Sequence, residues 1–343
     1  MICKVGAVGD ILLHGNVIRS CKSGDDYDFS AKMGLAEALF KNFDISIVNQ
    51  ESIAAGSNYP ISSYPKFNSP TQILDYLVYM GVDIVNVANN HMLDFGQDAL
   101  SSYISNLKQR NLEYVGCEVD DSTTYKVIES NGIKVAFISY TDGSKLPIKT
   151  INELNINYFK GESYAMRMNH RLTKIKRDIK EAKAHADAVI LSLHFGEEYH
   201  RLPNSFQREV VITLAETSVD VIIGHHPHVL QPTEWIENSM GKQVLVAYSL
   251  GNFFSGQGGL YRQIGGCFSF DLRKVDNECV VENESIEFTY VDVFGDLSLK
   301  KLSDLADQNE ILRTGRGRVH NAKSIHDKLK SNFTKFNSSI TVY

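Results

Sequence analysis

Short apolar runs alternate with amphipathic stretches over the first 255 residues. Ile2–Val8, Asp44–Asn49, Ile84–Ala88, Ala188–Leu193, Val219–Ile223 and Gln243–Ser249 have the length and β-branched content of buried strands. Lys32–Asn42, Thr71–Met80, Ala99–Arg110, Leu172–His185 and Asn204–Thr217 have helical spacing. Tyr114–Val115 starts a short strand, and Ser52–Pro70 reads as a loop. Tyr125–Glu129 and Lys134–Tyr140 flank Asn131-Gly132, a pair that favours a tight hairpin turn. The βαβα rhythm predicts an α/β sheet with helices on its faces. Gly265–Leu272, Glu278–Val281 and Ile286–Val293 predict antiparallel strands, whereas the last fifty residues read as polar helix or loop. With no internal repeat and no low-complexity linker, the simplest division is one domain over 1–295 and an extension over 296–343.

Composition narrows the function classes. The chain has 343 residues, 43% hydrophobic and 22% charged, enough for a sizeable core. A net charge of −6 argues against a nucleic-acid binder that relies on a broad basic surface. Ile2–Val8 reads directly as a strand rather than as a signal peptide, and no run reaches about 18 apolar residues. Cys3, Cys21, Cys117, Cys267 and Cys279 are scattered and form no CxxC. These features predict a cytoplasmic protein with reduced thiols and no membrane segment of its own.

The chemistry is expected where apolar runs end. Val5–Asp10 ends in a carboxylate, and Ile45–Glu51 in an amide and a carboxylate. Ile84–His91 ends in Asn89, Asn90 and an imidazole, Val189–His194 in an imidazole, and Val221–His228 in His225, His226 and His228. In open α/β sheets, ligands bind outside the strand C-termini, so neighbouring parallel strands would gather these ends. Taken singly, each has a bland alternative: Asp10 a cap, Glu51 a solvated loop acid, Asn90 a turn residue, His194 a core histidine. Three imidazoles within four residues are harder to explain structurally. Mixed oxygen and nitrogen donors without thiolate suit one or two divalent ions such as Mn, Fe, Zn, Mg or Ca. His14, His170, His185 and His200 fall in polar or helical contexts and are expected at the surface.

At these residues the sequence resembles a known family. Gly9-Asp10-Ile-Leu-Leu, Asn49-Gln-Glu51-Ser52, Asn89-Asn90-His91-Met-Leu-Asp94, His194-Phe-Gly-Glu-Glu198, Gly224-His225-His226-Pro-His228-Val-Leu-Gln and Gly251-Asn252-Phe253 are similar, in order, to motifs of the CapA family. These are bacterial capsule, or poly-γ-glutamate, synthesis proteins, and the resemblance spans roughly residues 3–255. The family is similar to a divergent branch of the calcineurin-like metallophosphoesterases. That implies a four-layer αββα sandwich of two mixed sheets.

The resemblance also implies roles. Asp10 and His228 would serve a first metal, and Glu51 would bridge. Asn90, His194 and His226 would complete a second. His91 would contact the leaving group or phosphate, oriented by Asp94 as outer carboxylates orient imidazoles. Glu198 would share in proton transfer, and His225 and Asn252 would contact substrate. Lys66 and Arg262, on Ser- or Gly-rich segments, are candidates to pair with substrate anions, although a solvated surface cation is the commoner reading. One departure matters: the phosphoesterase motif Asp-x-His is here Asp10-Ile-Leu12, so the first position lacks a ligand unless His225 or Glu198 supplies it. A second is Phe195, where the family commonly has Trp.

The expected reaction is metal-assisted hydrolysis of a phosphate ester or of a γ-linked polyglutamate or cell-envelope polymer. The competing reading is a non-hydrolytic subunit that binds polymer or a capsule or polyglutamate synthase. A minor third is metal-free proton abstraction at a peptide Cα.

Overall fold

Strand β1 (Ile2–Leu12) sits at the centre of a nine-stranded sheet because nearly every residue of it is buried, on both faces. A computed structural model describes residues 1–117, 124–143, 146, 156–159, 168–276 and 278–343, without the side chains of 168–171. Helix α1 (Gly15–Ser20), the small hairpin β2 (Lys22–Ser23) and β3 (Asp26–Tyr27), and α2 (Ser30–Phe40) lead to β4 (Ile45–Gln50). Then come α3 (Gln72–Met80), β5 (Ile84–Asn86), α4 (Gln97–Gln109), β6 (Glu113–Val115) and the hairpin β7 (Tyr125–Ser130) and β8 (Ile133–Thr141). Helix α5 (Met168–Lys183), β9 (Ala188–His194), α6 (Ser205–Ala215), β10 (Val221–His225), β11 (Leu230–Glu237), β12 (Gln243–Leu250) and β13 (Asn252–Ser255) follow. The chain ends with β14 (Ile264–Val275), β15 (Glu278–Val291), β16 (Leu299–Lys301), α7 (Leu302–Asp307), β17 (Ile311–Thr314), β18 (Arg318–Asn321), α8 (Ala322–Phe336) and β19 (Thr341–Val342).

The first sheet runs β16-β15-β14-β1-β4-β5-β6, with β13 also on β1 and β19 on β15. The second runs β11-β12-β10-β9-β8-β7. Both are mixed: β1, β4, β5 and β6 are parallel while β14 is antiparallel to β1. Likewise β8, β9, β10 and β12 are parallel, with antiparallel edges.

Strand periodicity explains the layers, because successive side chains leave a strand on opposite faces. Val5, Ala7, Ile45, Ile47 and Ile84 point between the sheets and meet Ile190, Val221, Ile223, Leu245 and Ala247 of the other sheet. Val8, Ile11, Val48 and Val85 point outward, onto α2, α3 and α4. Val189, Leu191, Ile222 and Val246 point outward on the opposite side, onto α5 and α6. The result is the expected four-layer αββα sandwich.

The structure differs from the sequence reading in three places. β15 is one strand over Glu278–Val291, not two. Its polar middle accommodates a register shift opposite Ser269 and Asp271, with Asn283 left-handed at φ 55°. β11 was hidden by Pro232; it is an edge strand, where a missing N–H is tolerated. The C-terminal fifty residues contribute β16 and β19 to the first sheet, and α8 buries Ala322, Leu329 and Phe333 against the inter-sheet core.

Candidate metal centre

Register carries the polar strand ends to one place. Asp10 on β1 is the Cα partner of Asn49 on β4 and of Asn252 on β13. His194 and His225, the last residues of β9 and β10, are partners of each other in the facing sheet. Close backbone approach is part of this. A Cβ on Gly224 would lie 1.9 Å from the Tyr248 carbonyl oxygen, and one on Gly9 2.2 Å from that of Gly251. Asp10 N–H donates to that same Gly251 oxygen at 2.7 Å. Beyond β10 the chain turns sharply, placing His226 (φ 98°) and His228 (φ 56°) in left-handed backbone that costs of order 1–3 kcal/mol each.

The buried groups converge. Asp10 Oδ1 accepts from Asn49 Nδ2 at 2.8 Å and stands 3.1 Å from His225 Nδ1; Asp10 Oδ2 stands 3.0 Å from His228 Nδ1. His228 Nδ1 also faces Asn252 Oδ1 at 3.1 Å. Glu51 Oε1 lies 3.6 Å from both His228 Nε2 and His194 Nε2. His194 Nε2 is 2.9 Å from Asn90 Oδ1. The ring of His226 is 4.9 Å from that of His194. Asp10 and Glu51 are fully enclosed, and His194, His226 and His228 are buried.

Electrostatics follow from this packing. Burial alone would raise Asp10, but hydrogen bonds from His225 and His228 hold it well below the ordinary carboxylate range. Burial works against charge on His228, yet Glu51 and Asp10 raise it to about 9. Burial, then neighbouring imidazoles, push His194 well down and His226 down to about 4.

Two sets of donor atoms come within 4.8 Å of one another: Asp10, Glu51 and His194, and Glu51, His226 and His228. Glu51 belongs to both. This grouping crosses the division that the resemblance implies, which put His194 with His226 and Asp10 with His228. The donor chemistry fits a divalent cation. Among the described residues, Nδ1 of His194 and of His226 are buried with no hydrogen-bond partner, and two carboxylates share the enclosure with imidazoles. Leu12 is buried and carries no donor atom, while His225 Nδ1 stands 3.1 Å from Asp10 Oδ1.

The remaining predicted residues lie around this cluster. Asp94 Oδ2 sits 2.8 Å from His91 Nδ1 and accepts the Phe67 N–H at 2.7 Å. The Phe67 ring packs edge-on against His91 at 4.7 Å. Glu198 is half-buried and bears on His226 and His228 through its charge, outside both close-set groups. Arg262 stacks over Tyr199 at 4.9 Å, and its carbonyl accepts from Asn252 Nδ2 at 2.9 Å. Lys66 is exposed, and no contact among the described residues joins its ammonium to the cluster. His185 and His200 are exposed, and the His170 side chain lies outside the described residues. His14 is not a surface residue as expected. It is partly buried between Phe67 and Ser255, and burial lowers it to about 4.

Sequence reading passed over the layer beneath the site. Asn86 Nδ2 donates to Asn49 Oδ1 at 3.0 Å and to Ser192 Oγ at 3.2 Å, and Asn86 Oδ1 accepts from Ser139 Oγ. All four residues are fully buried and tie the two sheets together below Asp10. The available signal was an amide at an inward position of an apolar run, Ile84-Val-Asn86-Val. Asp142, buried after β8, also bears on His226 and was missed.

Two mixed sheets face to face, helices outside and ligand-type side chains at strand C-termini define the calcineurin-like phosphoesterase fold. A solved calcineurin-like phosphoesterase, YfkN from Bacillus subtilis, superposes with a TM-score of 0.52. The match covers 87% of this chain and 92% of that one at 17% identity, a likeness of fold. Within that fold, the chain belongs to the CapA family: the model for "Bacterial capsule synthesis protein PGA_cap" matches residues 4–257. It is 30% identical over 205 residues to the PGA biosynthesis protein CapA of Bacillus subtilis, covering 57% of this chain and 48% of that protein. It is 26% identical over 280 residues to the capsule biosynthesis protein CapA of Bacillus anthracis, covering 78% and 63%. The chain thus spans between about half and just under two thirds of these relatives' length. No helix among the described residues is long and apolar enough to cross a membrane.

Proposed function

We propose that this chain is a metal-dependent hydrolase acting on a phosphate ester or on a γ-linked polyglutamate or related cell-envelope polymer. The carrying observation is Glu51, whose carboxylate belongs to both close-set donor groups. Asp10, Glu51 and His194, and Glu51, His226 and His228, would hold the ions, with Asn90 beside His194. A bound divalent cation would lower the pKa of a water toward neutrality and polarise the scissile group.

The chain's own residues do the rest. Asp94 engages His91 Nδ1, which fixes the tautomer and leaves Nε2 as the atom that exchanges a proton with the leaving group. Asn49 holds Asp10 in place, and Asn252 holds His228. Turnover of a chromogenic phosphodiester or of a γ-linked glutamate oligomer, abolished by chelator and restored by a divalent cation, tests this reading. Turnover that survives exhaustive chelation contradicts it.

Leu12 supports a second reading. With one ligand position filled by a buried leucine, the chain would bind polymer or a capsule or polyglutamate synthase without hydrolysis. Metal bound at full occupancy, polymer bound, and no turnover on either substrate would favour it.

A further inference from the structure

His14 stands near the metal centre and takes no part in the chemistry proposed above. It follows β1 just past Asp10, and it lines a cleft of about 860 Å³ that Tyr199 and Arg262 also line. The Tyr199 ring, 6.2 Å from that of His228, joins this cleft to the donor cluster. His228 and His91 both bear on His14 through charge. Among the described residues, however, His14 belongs to neither close-set donor group.

Its surroundings fix its place. Gly15 N–H donates to Ser63 Oγ at 2.9 Å, and Asn16 Nδ2 donates to the Gly256 carbonyl at 3.1 Å. A Cβ on Gly256 would lie 2.7 Å from His14 Cβ, so that loop is pressed against the side chain. The His14 ring packs edge-on against Phe67 at 5.1 Å, and Phe67 packs edge-on against His91 at 4.7 Å. One phenyl ring thus separates the two imidazoles. A side chain held on several sides keeps the geometry that selective recognition needs.

The two imidazoles differ in what holds Nδ1. His91 Nδ1 faces the Asp94 carboxylate, whereas His14 Nδ1 faces the Leu12 carbonyl at 3.1 Å and Ser255 Oγ at 3.2 Å. A carbonyl oxygen only accepts, so His14 Nδ1 carries the proton and Nε2 carries the lone pair. The other tautomer would set two lone pairs face to face. Burial lowers the ring to about 4, which keeps it uncharged at neutral pH. Among the described residues, the hydrogen bonds of the His14 ring are both made at Nδ1, which leaves Nε2 to a ligand. A neutral acceptor repels the oxygens of a bare phosphate or carboxylate and attracts an O–H or N–H.

We propose that His14 is a specificity-determining residue of this site: its Nε2 accepts a hydrogen bond from a hydroxyl or amide N–H that the substrate carries beside the bond to be cleaved. The substrate class that follows is a hydroxylated ester or a secondary amide. An ester without the hydroxyl, or a tertiary amide, would leave the acceptor unmet. The proposal rests on the hydrolase reading for the cleavage, while the hydrogen bond itself needs only binding.

Two measurements on the full chain test this. The first is the long-range proton–nitrogen NMR spectrum of histidine-labelled protein at neutral pH, with the His14 signals identified by their loss in His14→Gln. Nε2 should appear unprotonated. It should shift when para-nitrophenyl hydroxypropyl phosphate or γ-glutamyl para-nitroanilide is added, but not with the deoxy ester or the N-methylated anilide. The second is kcat/KM on the same two pairs. The wild type should favour the donor-bearing member of at least one pair, and His14→Phe should shrink that ratio by roughly tenfold or more. The pair that responds says whether a hydroxyl or an amide is recognised. Metal content and melting temperature should stay near wild type in His14→Phe, which separates recognition from a folding role. A protonated Nε2 in the free protein, no shift with any of the compounds, or an unchanged ratio in His14→Phe would overturn the proposal. Loss of metal in His14→Phe would overturn it too and make His14 a ligand instead. A wild-type chain that shows the Nε2 shift but turns over none of the compounds would remove the hydrolase reading and leave the recognition standing; turnover without discrimination in either pair would do the reverse.

Discussion

His228 Nε2 stands 3.6 Å from Glu51 Oε1 while its Nδ1 stands 3.0 Å from Asp10 Oδ2, so one imidazole connects the two buried carboxylates. That bridge ties protonation, stability and metal binding to the same ring.

With metal removed, the bridge should make stability depend on pH. His228 is raised to about 9 by Glu51 and Asp10 against the cost of burial. Its unfolded value is about 6.5. Its contribution is therefore fully present below about pH 6.5 and is lost as pH rises through about 9. The melting temperature of chelated protein should fall by several degrees across that window, and Asp10→Asn should flatten the fall. A pH-independent melting temperature in the wild type between 6.5 and 9.5 would contradict the assignment.

The same ring should lose its proton when a cation arrives. At pH 7.5, metal binding should release close to one proton per molecule from this site, measured by calorimetry in buffers of different ionisation enthalpy. No buffer dependence would mean that His228 does not change state.

His91 and Asp94 should matter for turnover more than for metal. His91→Gln is expected to lower kcat by about 10²–10⁴-fold, and Asp94→Asn by about 10–100-fold, each with metal content near wild type. Loss of metal in parallel with activity would make them supports of the donor cluster instead.

The layer below the site should be needed for stability. Asn86→Ala removes donors to Asn49 and Ser192 and leaves the Ala88 N–H, 2.9 Å from Asn86 Oδ1, without its acceptor. A cost of about 2–4 kcal/mol in urea unfolding is expected. Gly224→Ala should cost a comparable amount, because its Cβ would collide with backbone at 1.9 Å and force β10 away from β12. A change below about 0.5 kcal/mol in either variant would contradict the packing described.

Much of this site was legible because strand periodicity and ligand chemistry coincide. Asp10, Glu51, His194 and His226 each follow an apolar run, and parallel pairing gathers such ends whatever the helices between them do. The α/β alternation followed from apolar runs such as Val219–Ile223, whereas the four-layer αββα arrangement was implied by the family resemblance. What stayed hidden depended on partners distant in sequence. Asn86 looks like a stray amide until Asn49, Ser139 and Ser192 close around it. β11 carries a proline that only an edge position tolerates. The β17–β18 hairpin is polar and short, and its place beside His14 and Tyr199 depends on elements distant from it in sequence. The sharing of donors also resisted the sequence: motif order put His194 with His226, whereas the geometry places Glu51 between Asp10 and His194 on one side and His226 and His228 on the other.

The central claim is that Glu51 joins two donor groups into one divalent-metal centre. Elemental analysis of the purified chain after equilibration with Mn, Zn or Mg, compared with Glu51→Ala, tests it most directly. The account predicts one to two equivalents of a divalent metal in the wild type and a loss of at least tenfold in affinity in the variant. Wild-type metal content in Glu51→Ala, or no metal retained by the wild type under any of the three, would contradict it.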